Sequence, residues 1–108
     1  MSKNDMPPGS LVMLILRLLE TGPLHGYAIA QRIHRLSRDV LAVEEGSLYP
    51  ALQRMLREGW VAAQWGISET GRRVRHYRLT AAGRKQLTQE MENYQRVSRA
   101  VQAILRTA

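Results

Sequence analysis

The spacing of apolar positions changes several times along the chain, and each change predicts a different element. Leu11 to Leu16 run apolar without a break as far as Arg17. That pattern predicts a helix from Ser10 to about Glu20, apolar on every side and therefore buried, with Ser10 as its N-cap. Thr21-Gly22-Pro23 ends it, because glycine suits a left-handed stop and proline cannot continue a helix. From Gly26 to about Ser37, Tyr27, Ala30, Ile33 and Leu36 recur at three-to-four spacing, with Gln31, Arg32 and Arg35 outside them. This predicts a second helix that buries Tyr27 against the first. Asp39 to Val43 reads as extended, and Glu44-Glu45-Gly46 as a turn. A third helix is expected from Leu48 to about Glu58, capped by Ser47 and ended by Gly59. Pro50 falls within its first turn, where a missing N–H costs little. Leu48, Leu52, Met55 and Leu56 form its apolar stripe, and Tyr49, Gln53 and Arg57 lie together elsewhere.

The period then drops to two. Trp60–Trp65 and Val74–Leu79 read as strands, and the turn-forming stretch 66–73 makes them a hairpin with a long loop. Alternation puts Tyr77 and Leu79 on one face, His76 and Arg78 on the other, while Trp60 and Trp65 pack the sheet onto the helices. Thr80 is the expected N-cap of a last helix reaching about Arg106. In it Leu87, Met91, Tyr94, Ser98, Val101 and Leu105 follow heptad spacing, with Val97 and Ile104 alongside and a polar break at Ser98. A small domain closed by three helices and a hairpin cannot cover such a seam, so Leu87, Met91, Tyr94, Val97, Val101, Ile104 and Leu105 are expected to form a dimer interface. The fold class is mainly α (α+β): a winged helix-turn-helix of three helices plus a two-stranded wing, followed by a long C-terminal dimerisation helix. Residues 1–9 read as a disordered lead-in, 10–80 as the winged unit and 81–108 as the dimerisation helix.

Composition narrows the function. A chain of 108 residues has room for one core. No apolar run approaches the roughly 18 residues that span a bilayer, so no membrane-crossing helix is expected. The first residues lack the apolar stretch of a signal peptide. The absence of cysteine excludes disulfides, thiolate metal sites and cysteine nucleophiles, and fits a reducing cytoplasm. Sixteen Lys+Arg against nine Asp+Glu give a net charge of +7, and all the cations but Lys3 and Lys85 are arginine. Between Glu69 and Glu90 no acidic residue occurs, whereas Arg72, Arg73, Arg75, Arg78, Arg84 and Lys85 do. A basic balance can serve solubility alone. Its concentration here points instead to a polyanion, since the guanidinium fork grips phosphate at two points.

In a helix-turn-helix the second helix of the motif enters the major groove with its N-terminal residues against base edges. That end carries Ser47, Tyr49, Gln53 and Arg54. Gln can bond adenine at two points and Arg can do the same with guanine, while the hydroxyls suit phosphate. Tyr49 has an alternative as a half-buried support for the hairpin, Gln53 and Arg54 as solvated helix residues, and Arg57 as an ion-pair partner. Arg72, Arg73 and Arg75 would lie along the DNA backbone or in the minor groove. His25, His34 and His76 lack metal-ligand spacing. With no nucleophile motif, phosphate-cradling loop or paired carboxylates, no catalytic residue is assigned and the chain reads as a non-enzyme without cofactor.

Four strings carry a resemblance: Leu24-His25-Gly26-Tyr27, Glu45-Gly46-Ser47-Leu48-Tyr49-Pro50-Ala51-Leu52, Arg57-Glu58-Gly59-Trp60-Val61 and Tyr77-Arg78-Leu79-Thr80-Ala81-Ala82-Gly83. Over about residues 10 to 105 the chain resembles the PadR family of bacterial transcriptional regulators, in its short branch with one C-terminal helix. The resemblance implies a dimeric repressor on a near-palindromic double-stranded operator. It places Ser47, Tyr49 and Pro50 at the DNA-facing helix start and Arg72, Arg73 and Arg75 at the wing tip. Two departures stand out. Glu44-Glu45 precede the recognition helix where many members are uncharged, and are expected to turn from phosphate toward the positive helix end. Where some short members carry a ligand-lining tryptophan on the last helix, this chain has only Tyr94. Met13, Met91 and Tyr94 are the candidates for lining a small apolar effector's site between subunits. The rival reading is a winged-helix module that docks on protein or RNA.

Overall fold

The computed structural model describes residues 9–107, and its first element opens on a glycine. Gly9, at φ 78°, is the N-cap of α1 (Ser10–Leu19), so Ser10 is not a cap but the first helical residue, itself buried. A left-handed entry of this kind favours glycine, and it turns Ser10 inward. The lead-in expected over 1–9 otherwise lies outside the described residues. Met13, Ile15, Leu16 and Leu19 fill the core from α1, and Gly22, at φ 134°, carries the chain out of the helix.

A two-residue strand β1 (Leu24–His25), absent from the sequence reading, comes next, followed by α2 (Gly26–Leu36). His25 is the N-cap of α2, its ring Nδ1 accepting the Ala28 N–H at 3.3 Å. Past Ser37, Arg38 and Asp39 both take positive φ (53° and 66°) and reverse the chain. The expected extended run Asp39 to Val43 is therefore a turn followed by irregular chain, tied back where the Leu41 N–H donates to the Ser37 hydroxyl at 2.9 Å.

Helix α3 spans Glu45–Arg57, three residues longer at its start than expected. Glu44 is the N-cap, and its carbonyl accepts from the Ser47 and Leu48 N–H groups at 3.0 and 2.9 Å. Ser47 is thus inside the first turn rather than capping it, and Pro50 is the sixth helical residue rather than a first-turn one. The bond Pro50 cannot donate would go to the Gly46 carbonyl, and exposed Gly46 leaves that oxygen to water. The C-terminus closes as a Schellman motif: Gly59, at φ 77°, donates to the Leu56 carbonyl at 3.1 Å and Trp60 to the Met55 carbonyl at 3.0 Å.

Strands β2 (Val61–Ile67) and β3 (Arg73–Leu79) make the wing, each longer than the sequence suggests, so the loop shrinks to 68–72. The sheet is antiparallel in the order β1-β3-β2, with Leu24 opposite Tyr77, Val61 opposite Leu79 and Trp65 opposite Arg75. Tyr77 and Leu79 are buried, while His76 is half-buried and Arg78 exposed, as the alternation requires.

Helix α4 (Ala81–Leu105) has 25 residues, about 37 Å at 1.5 Å per residue. Thr80 caps it: its hydroxyl accepts the Gly83 N–H at 3.0 Å and reaches the Gly59 and Trp60 carbonyls at 2.6 and 2.9 Å. Leu87 is only 3% exposed, so it belongs to the core of its own subunit and leaves almost nothing for a partner. Met91, half-buried, packs on that core too. Beyond it Tyr94, Val97, Val101, Ile104 and Leu105 stand exposed along the helix. Among the described residues no helix is long and apolar enough to cross a membrane.

Candidate nucleic-acid interface

The exposed side of α3 is set by what its other side buries. Leu48, Leu52 and Met55 point into the core, and Gly46, Pro50, Gln53 and Arg57 follow one another at helical steps on the opposite, exposed side. Ser47 and Arg54, also exposed, flank that stripe. Arg54 carries its guanidinium over the Trp60 ring at 5.3 Å, which anchors it near the C-terminal end of the helix.

Tyr49 leaves the stripe on its other flank. It lies across the start of α2, so close that a Cβ on Gly26 would sit 2.9 Å from its hydroxyl. A side chain at position 26 would push Tyr49 off, and the glycine is needed there for this approach. Tyr49 is thus partly covered by the start of α2 and remains 42% exposed. Tyr27, expected to be buried between α1 and α2, is instead 66% exposed, with its hydroxyl accepting from Gln31 Nε2 at 3.0 Å. As the second residue of α2 it precedes the buried positions Ile29 and Ile33 and faces away from them.

The wing continues the core sheet beyond the body. Ala63, Trp65 and Ile67 share a face with Tyr77, Arg75 and Arg73 through the pairs Ala63–Tyr77, Trp65–Arg75 and Ile67–Arg73. Near the helices this face is core; farther out it is open, so Trp65 is 57% exposed instead of packing the sheet onto the helices. Arg73 lies over the Trp65 ring at 4.5 Å from its centroid. Arg72 sits in the turn with Glu69, and Arg78 projects from the opposite face. The acid-free basic stretch is therefore divided: Arg73 and Arg75 look toward α3, while Arg84 and Lys85 belong to the first turns of α4.

His25, Gly26, Tyr27, Tyr49, Trp65, Arg73, Val74, Arg75 and Tyr77 together line a cleft of about 350 Å³ between α2, α3 and the wing. The His25 and His76 rings meet edge to face with centroids 5.7 Å apart, and among the described residues no three metal-ligating side chains gather. Burial pushes the Tyr77 phenol above its ordinary value of 10.0; the Arg75 charge pulls it down, Tyr49 pushes it up, and a hydrogen bond to Arg75 pulls it down again. Because the folded-state value is the higher one, the neutral phenol's contribution to stability is intact below about pH 10 and is lost as pH rises through the folded-state value. Urea unfolding from about pH 9 upward should show stability falling, and Tyr77→Phe should remove that part of the fall.

On the far side of the body, Met13, Leu14, Arg17, Met91, Tyr94 and Gln95 line a groove of about 230 Å³ between α1 and α4. All three residues named as effector-lining candidates meet there. The sequence reading missed Tyr27 and Trp65 as surface aromatics. The available signal was register: Trp65 shares its parity with Arg73 and Arg75 once the strands are extended past the body.

Comparisons with known proteins agree with this architecture. The pattern of the transcriptional regulator PadR-like family matches residues 15–89. A transcriptional regulator of Mycobacterium tuberculosis is 33% identical over 87 residues, 81% of this chain and 78% of its own. The structure of a transcriptional regulator from Clostridium thermocellum superimposes with a TM-score of 0.81 at 28% identity, covering 88% of this chain and 92% of that one. That of a PadR-like transcriptional regulator from Bacillus cereus gives 0.78 at 27% identity, covering 93% and 95%. The chain belongs to the PadR-like family of DNA-binding transcriptional regulators, whose members are not enzymes.

Proposed function

We propose that the chain acts in the cytoplasm as a homodimeric repressor, that it binds a near-palindromic operator, and that a small apolar effector relieves the binding. In this reading residues 10–80 contact DNA and α4 beyond Met91 joins the subunits. The observation that carries it is the row of uncovered apolar side chains along α4, with Val97 46% and Val101 48% exposed. Soluble proteins rarely leave such a row open to water. A two-fold pairing of the α4 helices would present two α3 helices about 34 Å apart, one turn of DNA. Ser47, Pro50, Gln53 and Arg57 would then face the groove, with Arg54 at its edge, Tyr49 on a phosphate and Arg72, Arg73 and Arg75 along the backbone. The effector site is the groove of Met13, Met91 and Tyr94, which pairing through α4 would roof over.

Selection of duplexes from a random pool tests this directly. Two related half-sites at about one-turn spacing are expected. Gln53→Ala should relax preference at one base pair by about 1–3 kcal/mol. Equal retention of RNA, or of unrelated duplexes at physiological salt, would refute it.

A further inference from the structure

We propose that Trp65 is a positioning residue for DNA binding, holding the Arg73 guanidinium stacked on its indole at the mouth of the cleft between wing and recognition helix. The inference rests on the DNA-binding reading above and adds to it an assignment within the wing: Arg73, not Arg72 or Arg75, is the wing cation delivered to the duplex in a fixed orientation.

Three observations carry it. An indole left 57% exposed on an open sheet face loses favourable burial, yet here its ring supports a guanidinium 4.5 Å from its centroid. Such a stack uses the face of the guanidinium and leaves its in-plane N–H donors free. The Arg73 side chain makes no hydrogen bond or ion pair among the described residues, so nothing there competes for those donors. Finally, the pair lines the same cleft as Tyr49 and Tyr27, on the side of the wing turned toward α3. A free arginine side chain must give up rotamer freedom when it meets phosphate. One already stacked has less to give up, and that difference appears as affinity.

Arg72 and Arg75 are placed differently. Arg72 lies in the turn beside Glu69, and its backbone N–H donates to the Ser68 hydroxyl at 3.2 Å. Arg75, opposite Trp65 in the sheet, is exposed on the same face, but among the described residues no aromatic ring lies under its guanidinium.

The test titrates the duplex recovered from the random pool against four proteins at several salt concentrations: Trp65→Leu, Trp65→Tyr, Arg73→Ala and the Trp65→Leu/Arg73→Ala double variant. Trp65→Leu should weaken binding about two- to fivefold at every salt concentration. It should leave the slope of log affinity against log salt unchanged, because no charge has been removed. Trp65→Tyr keeps a π face and should recover most of the loss. Arg73→Ala should weaken binding and flatten the slope by about 0.9. In the double variant the tryptophan change should add nothing. Additive losses, an altered slope in Trp65→Leu, or no effect of Trp65→Leu would overturn the proposal while leaving the DNA-binding reading intact. Failure of the unsubstituted protein to prefer any duplex would overturn both.

Discussion

Gly83→Ala should destabilise the protein by about 3 kcal/mol, at the upper end of what a single added methyl costs in a packed interior. A Cβ on Gly83 would lie 2.0 Å from the Trp60 carbonyl oxygen and 2.7 Å from a Leu79 methyl, and neither can yield cheaply. The Leu79 side chain belongs to the core. The Trp60 carbonyl is fixed from both sides, since it accepts the Thr80 N–H at 3.1 Å and the Thr80 hydroxyl at 2.9 Å. Trp60 itself is held by the Schellman closure of α3, so the first turn of α4 is docked directly on the end of the recognition helix. Pushing α4 away would loosen that joint, break the Thr80 cap and lift Leu87 out of the core. At about 4–8 °C per kcal/mol for a domain near this size, the melting temperature should fall by more than about 10 °C in thermal unfolding followed by circular dichroism. Arg84→Ala, one exposed residue along, should change stability by no more than about 0.5 kcal/mol. A Gly83→Ala variant that melts with the parent would mean that α4 does not sit this close.

Gly83 also marks where the sequence stops being informative. In the string Thr80-Ala81-Ala82-Gly83 it is one small residue among several in a helix start, and nothing local indicates that another element's carbonyl will approach it. The same distinction runs through the chain. Periodicity identified α1 to α4 and the hairpin because the burial of Leu48, Leu52 and Met55, or of Tyr77 and Leu79, repeats at the period of the element itself. Thr80 was readable as a cap because its partner, Gly83 N–H, is three residues away. Features set by another part of the chain were not. β1 is two residues whose extended form depends on pairing with β3. Propensity favours Ser47 as the cap of α3, since serine is the better cap, yet Glu44 opens the helix without any side-chain cap bond. Glu45 then falls in the first turn, where its charge suits the positive end of the helix. Leu87 fits the heptad seam by spacing, but the body reaches far enough along α4 to bury it first.

The candidate DNA surface divides the same way. Spacing places Gln53 and Arg57 off the apolar stripe and the resemblance supplies Pro50; all three stand exposed on the side opposite the core. What spacing could not show is that two of the cations are held by tryptophans, Arg54 over Trp60 and Arg73 over Trp65. These two pairs sit at opposite ends of β2, one at the root of the wing and one on its open face. The root pair couples the recognition helix to the same Trp60 whose carbonyl seats α4. A displacement of α4 therefore reaches α3 through a single residue.

Val97→Glu/Val101→Glu should convert the protein to monomers and lower operator affinity by about 10²–10⁴-fold, the usual gain from tethering two weak sites. Both valines are about half exposed in the single subunit, so the substitutions leave its core untouched, and the helical circular dichroism signal should persist. In a dimer paired through α4, four carboxylates would be buried in the seam without partners, and a buried unpaired charge costs more than so small an interface can supply. Light scattering should report about 12.3 kDa in place of twice that mass. Selected duplexes should then be bound as isolated half-sites, with no dependence on the spacing between them. Arg99→Ala, on the exposed side of α4 opposite Val97 and Val101, should leave both mass and operator affinity as they were. A double-glutamate variant that remains dimeric would place the subunit contact elsewhere. One that is monomeric yet binds the full operator as tightly as the parent would show that each subunit reads DNA alone, and the two-fold operator would lose its basis.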